Sequence, residues 1–348
     1  MRILITGGCG FLGSNLALYG INNGYEVFIL DNFYREGSKE NLNWLRSKGN
    51  FKFYEVDIVD NEKLRKVFKE VKPNIVFHLA GQTAMTTSLN NPLKDFQINT
   101  IGSLNVLESI REIDNNCKSI YASSNKIYGD LNYINIVEEN TRYNAPDYES
   151  GFPESMKIDF STPYGCSKGS ADLYFLDYYK SYGIGLSVFR HSTMYGGRQF
   201  ATVDQGWIGY FCEKLTRPLN DEIDIYGVGK QVRDILHCDD IVKLYYSSIE
   251  KFDKIEGEAY NIGGGPANSL SLLELFAILE SKTRNKMKYK INPMRVSDQK
   301  VYISDISKIK EAINWKPEIN IDLGIDLSLI HISEPTRPLY ISYAVFCL

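Results

Sequence analysis

Seven residues near the start of the chain, Gly7-Gly8-Cys9-Gly10-Phe11-Leu12-Gly13, set glycines at 7, 10 and 13 between the apolar run Ile3 to Thr6 and the stretch Leu12 to Asn22. This is the pattern of a strand that turns sharply into a helix. Gly7 permits the tight turn, Gly10 lets the backbone approach a pyrophosphate, and Gly13 lets helix and strand pack closely. The helix N-terminus then offers N–H donors and a positive dipole end, so a dinucleotide is the natural guest. A glycine-rich turn without a ligand is the plain alternative. The next apolar run, Glu26 to Leu30, ends at Asp31, where a carboxylate can accept ribose hydroxyls and would repel a 2′-phosphate. NAD is therefore favoured over NADP. A cap or turn role for Asp31 would leave the cofactor open.

Strand and helix patterns continue to alternate: a charged amphipathic helix near Ser38 to Lys48, then strand candidates at Phe51 to Val56, Asn74 to Leu79, Lys118 to Ala122 and Gly185 to Phe189. Such alternation predicts an α/β fold, a doubly wound parallel-sheet Rossmann domain. The expected division places that domain at 1–190 plus about 225–265, and a smaller interleaved α+β substrate-binding lobe at about 191–224 plus 266–327. From about Asp130 to Ser161 the chain is polar and aperiodic, which predicts a long surface loop beside the site. The tail 328–348 has two prolines, no helical period and an apolar end, and resembles translated sequencing-adapter read-through. The expectation is a non-native C-terminus after about Leu327.

The net charge of −4, without runs of like charge, gives no reason to expect nucleic acid or an anionic membrane as partner. Cys9, Cys117, Cys166, Cys212, Cys238 and Cys347 are scattered, with no metal-like spacing, so no metal site is expected. Free thiols and the absence of a signal-like N-terminus favour the cytoplasm.

Tyr164-Gly-Cys-Ser-Lys168 spaces Tyr and Lys four apart, on one face of a helix. There a lysine ammonium would lower the phenol pKa and let it take a proton from a substrate hydroxyl. A surface Tyr/Lys pair is the bland reading of that motif alone. Upstream, Ser123-Ser124-Asn125-Lys126-Ile-Tyr128-Gly129 follows a strand pattern.

The glycine spacing together with these two segments resembles the extended short-chain dehydrogenase/reductase family of NAD-dependent epimerases and dehydratases, over about residues 1 to 327. The resemblance implies Ser124, with Ser123 second, as the group that hydrogen-bonds the reacting hydroxyl beside Tyr164 and Lys168. It implies a cofactor shell that includes Phe11 and Leu12 in the turn and Asn32 beside Asp31. Asp57 and Ile58 would lie next to the adenine, Leu79, Ala80 and Gln82 under the cofactor, and His191, in Phe189-Arg-His191-Ser, before the nicotinamide. Asn99 matches a helix asparagine of the family, with a structural role as its alternative. Dehydrating members carry an Asp-Glu pair after the catalytic hydroxyl residue. Asn125-Lys126 stands there instead, which favours an epimerase.

At the substrate end, Gln231-Val-Arg233-Asp and Arg295, followed by Asp298, resemble the family's diphosphate contacts. Arg suits that task through paired donors and permanent charge. The resemblance thus implies a nucleotide-diphosphate sugar as partner, homo-oligomerisation and a role in O-antigen sugar biosynthesis. The fuller likeness, in Phe189-Arg-His-Ser, Ser123-Ser-Asn-Lys and the Tyr-rich loop, favours a CDP-linked sugar epimerised at C2. A UDP-sugar 4-epimerase, an NAD(P)H-dependent reductase and a non-catalytic NAD sensor are the rival readings.

Overall fold

Strand β1 (Arg2–Thr6) sends Ile3 and Ile5 to one face and Leu4 to the other, and all three are fully buried. A sheet covered on both faces meets that demand. In β2 (Glu26–Asp31) Val27 and Ile29 join the first face, and Phe28 and Leu30 the second. With β3 (Lys52–Glu55), β4 (Ile75–His78), β5 (Lys118–Ser124), β6 (Leu186–His191) and β7 (Ala259–Ile262), they form one parallel sheet in the order β7-β6-β5-β4-β1-β2-β3. The computed structural model describes residues 1–113, 116–202, 204–216 and 222–333.

The order turns back at β1, whose neighbours β2 and β4 belong to the two halves of the sheet. Crossovers leave that point in opposite directions, so a crevice opens beyond the carboxyl ends of the strands. The expected doubly wound domain is present. β7 is an addition, since Asn261 to Gly265 carried no strand reading in the sequence.

A second, four-stranded sheet joins Thr193–Tyr195, Val232–His237, Ser269–Ser271 and Val301–Tyr302, while Ile223–Tyr226 pairs with Tyr289–Asn292. The expected return to the main domain at about 225 is therefore too early. Val232–His237 belongs to the second sheet, although Leu236 reaches the main core, and helix Cys238–Glu250 then packs along the Rossmann helix Phe11–Asn22. Conversely, Ile309, Ile313 and Trp315, expected in the smaller lobe, pack into the main core. Buried runs of β-rich sequence look alike in either sheet, so pairing decides their membership.

The segment from Asp130 to Ser161 also departs from expectation. It is irregular, apart from the short pair Val137–Glu138 and Tyr143–Asn144 and a 3-10 turn at Pro146–Tyr148, but none of its residues lines the cavity in that crevice. Leu131, Ile134, Phe152 and Met156 are buried against Val232, Val301 and Tyr302, and the Phe152 N–H donates to the Ile303 carbonyl at 2.7 Å. Helix Ile321–Ser333 runs past the expected junction at Leu327, and Leu329 packs on the core of the smaller lobe. The rest of the suspected foreign tail lies outside the described residues. Among the described residues, no helix is long and apolar enough to cross a membrane.

Candidate active site

The glycine turn is as tight as its spacing implies. Gly7 has φ +68°, and a Cβ there would meet the Ala80 backbone at 2.8 Å. A Cβ on Gly13 would meet the Gly7 carbonyl oxygen at 2.3 Å, so helix and turn touch through bare backbone. A cavity of about 820 Å³ begins here and is lined by Gly7, Gly10, Phe11, Leu12 and Gly13. It continues over the ends of β2, β4, β5 and β6 to the second sheet.

Asp31, at the end of β2, faces the cavity and is also part of the scaffold. Its two carboxylate oxygens accept the Cys9 N–H at 3.0 Å and the Phe33 N–H at 2.9 Å. Burial raises its pKa, and those N–H groups oppose the rise. Each oxygen keeps a second acceptor site, so the turn role leaves Asp31 able to accept from a group in the cavity. Asn32 donates to Asp57 at 2.8 Å, which fixes both at the rim beside Ile58. A backbone cradle with a buried acceptor one strand away suits a dinucleotide, and the cradle has no space for larger side chains at positions 7 and 13.

Leu79, Ala80 and Gln82 form the floor after β4. Asn99 is not among the residues that line the cavity. It is buried, takes the Gln82 N–H at 2.8 Å and donates to Ser167 at 3.0 Å. Its work is to hold the Gln82 loop against the helix Pro163–Tyr182, the structural alternative foreseen for it.

That helix starts with Thr162, whose hydroxyl accepts the Gly165 N–H at 3.1 Å, and with Pro163 in its first turn. Tyr164 and Lys168 follow on one buried face, and both line the cavity. Burial pushes the Tyr164 phenol up to about 12, while hydrogen bonding to Ser124 pulls it down. Lys168 was expected to lower that phenol. Its ammonium instead donates to the Ala122 carbonyl at 2.5 Å and lies 4.2 Å from the centre of the Tyr121 ring. Burial lowers its own pKa to about 7, against the pull of Asp172 and Asp95.

Ser124 ends β5 and lines the cavity. Ser123 also lines it, but its hydroxyl donates to Asp172 at 2.7 Å, and Asp172 holds Arg190 through two contacts of 3.0 and 2.9 Å. That commitment leaves Ser124 as the serine beside Tyr164. His191, at the end of β6, lines the cavity and bonds the Tyr245 hydroxyl through Nε2 at 3.0 Å, while its buried Nδ1 has no hydrogen-bond partner among the described residues. Burial, and Lys168 after it, lower its pKa to about 3, so the ring is neutral.

At the far end stand Arg233 and Arg295. Arg233 donates to Asp298 at 2.6 Å; Arg295 lies 3.4 Å from Asp204 and 4.4 Å from the centre of the Tyr226 ring. Burial works to raise the Asp298 pKa, but Arg233, Lys126 and Arg295 hold it below the usual value. The sequence reading did not assign site roles to Lys126, Thr83, Arg198 or Gln205, which also line the cavity. Thr83 donates to Gln205 at 2.8 Å and Arg198 to Asn41 at 2.8 Å, which ties residues 198 and 205 to the other side of the cleft. These links join residues more than a hundred positions apart, and no local motif signals them.

The family model described as GDP-mannose 4,6 dehydratase matches residues 4–327. CDP-paratose 2-epimerase of Salmonella typhi is 49% identical over 328 residues, which span 93% of this chain and 97% of that protein. Among solved structures, UDP-glucose 4-epimerase with UDP-glucose from Thermotoga maritima has a TM-score of 0.82 at 32% identity, covering 95% of this chain and 98% of that one. UDP-glucuronic acid 4-epimerase from Bacillus cereus, in complex with UDP-glucuronic acid and NAD, has a TM-score of 0.80 at 25% identity, covering 95% and 99%.

Proposed function

Since this chain belongs to the GDP-mannose 4,6 dehydratase family, among the extended short-chain dehydrogenases/reductases, we propose that it is an NAD-dependent epimerase converting CDP-paratose to CDP-tyvelose by inversion at C2. One observation carries the reading. A single cavity joins the Ser124–Tyr164 pair to Arg233 and Arg295, while the two residues after Ser124 lack a carboxyl group. Asn125 is occupied with Gln299 at 3.3 Å and Lys126 faces Asp298 at 3.5 Å. Asp298, held ionised by cations, is no proton donor for dehydration. The CDP base and the C2 position rest on the similarity to the Salmonella protein.

Gly7, Gly10, Gly13 and Asp31 would hold NAD, which would supply a reversible hydride acceptor when bound. Tyr164 acts in its phenolate form, taking the proton of the C2 hydroxyl and returning it after the 2-keto sugar has presented its other face. Ser124 holds that oxygen throughout and also draws down the pKa of the phenol. Lys168 holds the end of β5 through its contact with the Ala122 carbonyl. Arg233 and Arg295 hold the diphosphate. The reading includes a cytoplasmic homo-oligomer, for which the apolar side chains of Leu93, Phe96, Leu173 and Tyr174 are exposed on contacting helices.

The test is incubation with CDP-paratose and with UDP- and dTDP-sugars, followed by NMR of the sugar stereochemistry. Inversion at C2 of the CDP-sugar is expected. Inversion at C4 alone defeats the C2 assignment. Tyr164→Phe should lower turnover about 10²- to 10⁴-fold while NAD stays bound.

A further inference from the structure

Lys126 occupies the place where dehydrating relatives need a carboxylic acid, and the structure gives it a setting of its own. Its side chain is 15% exposed and lines the cavity. It stands two residues after Ser124, whose hydroxyl accepts the Lys126 N–H at 3.2 Å. Its ammonium faces Oδ1 of Asp298 at 3.5 Å, but that same oxygen already accepts from Arg233 at 2.6 Å. Two cations therefore share one carboxylate oxygen in a largely buried place, and the longer contact is the weaker. Arg295 pairs with Asp204 at 3.4 Å and also acts on Asp298, as a third cation near that carboxylate. The surplus of positive charge lies between the serine that meets the sugar and the arginine that meets the diphosphate.

Resting on the proposed function, we infer that Lys126 grips the phosphate bonded to the sugar, leaving Asp298 to Arg233 as that phosphate enters. A phosphate oxygen offers the ammonium the anionic partner that Asp298 only half supplies, and three N–H donors permit contact with it and with a sugar oxygen. Burial lowers the Lys126 pKa to about 8, with Asp298 opposing and Arg233 assisting. The charged groups around it are Asp298 and Arg295 from the 295–299 segment and Arg233 from the second sheet; Tyr164 and Lys168 stand on the helix packed behind it. A bound phosphate favours the protonated amine, so affinity falls as pH rises through about 8.

The experiment is calorimetry of the NAD-loaded protein with CDP, UDP and CMP, at about pH 7 and about pH 9.5. Lys126→Met should weaken CDP and UDP about tenfold or more while CMP, which lacks the second phosphate, changes less than about twofold. Lys126→Arg, cationic at both pH values, should remove the alkaline loss of CDP affinity seen in the wild type. Equal weakening of CDP and CMP by Lys126→Met, or none, overturns the inference. If that variant does not fold, Lys126→Arg decides alone, and an alkaline loss equal to that of the wild type is the overturning result. Wild-type protein that binds no nucleoside diphosphate overturns the proposed function together with this inference; wild-type binding that Lys126→Met leaves intact overturns this inference only.

Discussion

Lys168 lies one helical turn after Tyr164, yet its ammonium is directed to the Ala122 carbonyl, 2.5 Å away, at the end of β5. Burying that ammonium costs stability, and its pKa falls from 10.5 to about 7 for that reason. Between those two values the unfolded chain binds more protons than the folded one, so this group's contribution to stability improves as pH rises. Lys168→Met removes the titration. From about pH 6.5 to about pH 9, the stability difference between wild type and variant should move in favour of the wild type by about 2–3 kcal/mol. Urea unfolding of both proteins across that range checks it, and a difference independent of pH contradicts it. Comparing the two proteins cancels the opposing titration of the buried thiols and phenols.

The Asp172–Arg190 pair makes a second prediction, this time about the scaffold. Both side chains are buried, Asp172 also accepts from Ser123, and Arg190 donates to the Tyr128 hydroxyl at 3.0 Å. Tyr128 in turn donates to Asn261 of β7 at 2.7 Å, so the pair ties three adjacent strand ends together. Asp172→Asn leaves a buried guanidinium without its counter-charge and should cost about 3–5 kcal/mol. Replacing both partners with apolar residues should cost less than that single change. Denaturant titration of the single and double variants distinguishes the two outcomes.

What was legible in the sequence was local. The alternation of Ile3, Leu4 and Ile5 and the spacing of Gly7, Gly10 and Gly13 are set by backbone geometry over a few residues, so β1 and its turn could be read directly. The four-residue spacing of Tyr164 and Lys168 gave their shared helix face, but not the acceptor that Lys168 finds across the fold. Val232–His237 reads like a central strand because all but Arg233 are buried, but nothing in those six residues says which sheet will pair with them. The loop around Phe152 hides its apolar anchors in polar, aperiodic sequence. Lys126 and Asp298 are 172 positions apart, and their meeting is a product of the whole topology.

Asp31 allows a prediction about cofactor choice that separates its two roles. Asp31→Ala would leave the Cys9 and Phe33 N–H groups without their acceptors, and should destabilise the fold by about 1–3 kcal/mol as well as weaken NAD. Asp31→Asn keeps one side-chain acceptor oxygen and removes the charge that repels a 2′-phosphate. The amide nitrogen that replaces the other oxygen faces a backbone N–H, so this variant should also lose about 1–3 kcal/mol, and its folded fraction should show an affinity for NADP relative to NAD raised about tenfold. Fluorescence titration with each reduced cofactor reads the ratio, and an unchanged ratio would show that Asp31 serves the turn alone.

Gly13 tests the cradle itself. Its missing Cβ is where the Gly7 carbonyl oxygen lies, 2.3 Å from the place a methyl group would take, with the Gly8 Cα at 2.6 Å. Both obstacles are backbone, so neither can turn aside as a side chain would. Gly13→Ala must push the helix Phe11–Asn22 away from the turn, at a cost of about 1–3 kcal/mol, typical of overpacking. The shift also carries the helix N-terminal N–H groups away from the pyrophosphate position, and their contribution depends on close approach. Purified Gly13→Ala protein should therefore carry markedly less NAD than wild type and melt at a lower temperature. Gly24→Ala is the control for glycine loss in general: its added methyl meets nothing within 4 Å, and the strain of its φ of +74° is confined to an exposed turn, so NAD content should not change. A Gly13→Ala protein with full NAD content would show that the dinucleotide does not lie along this turn.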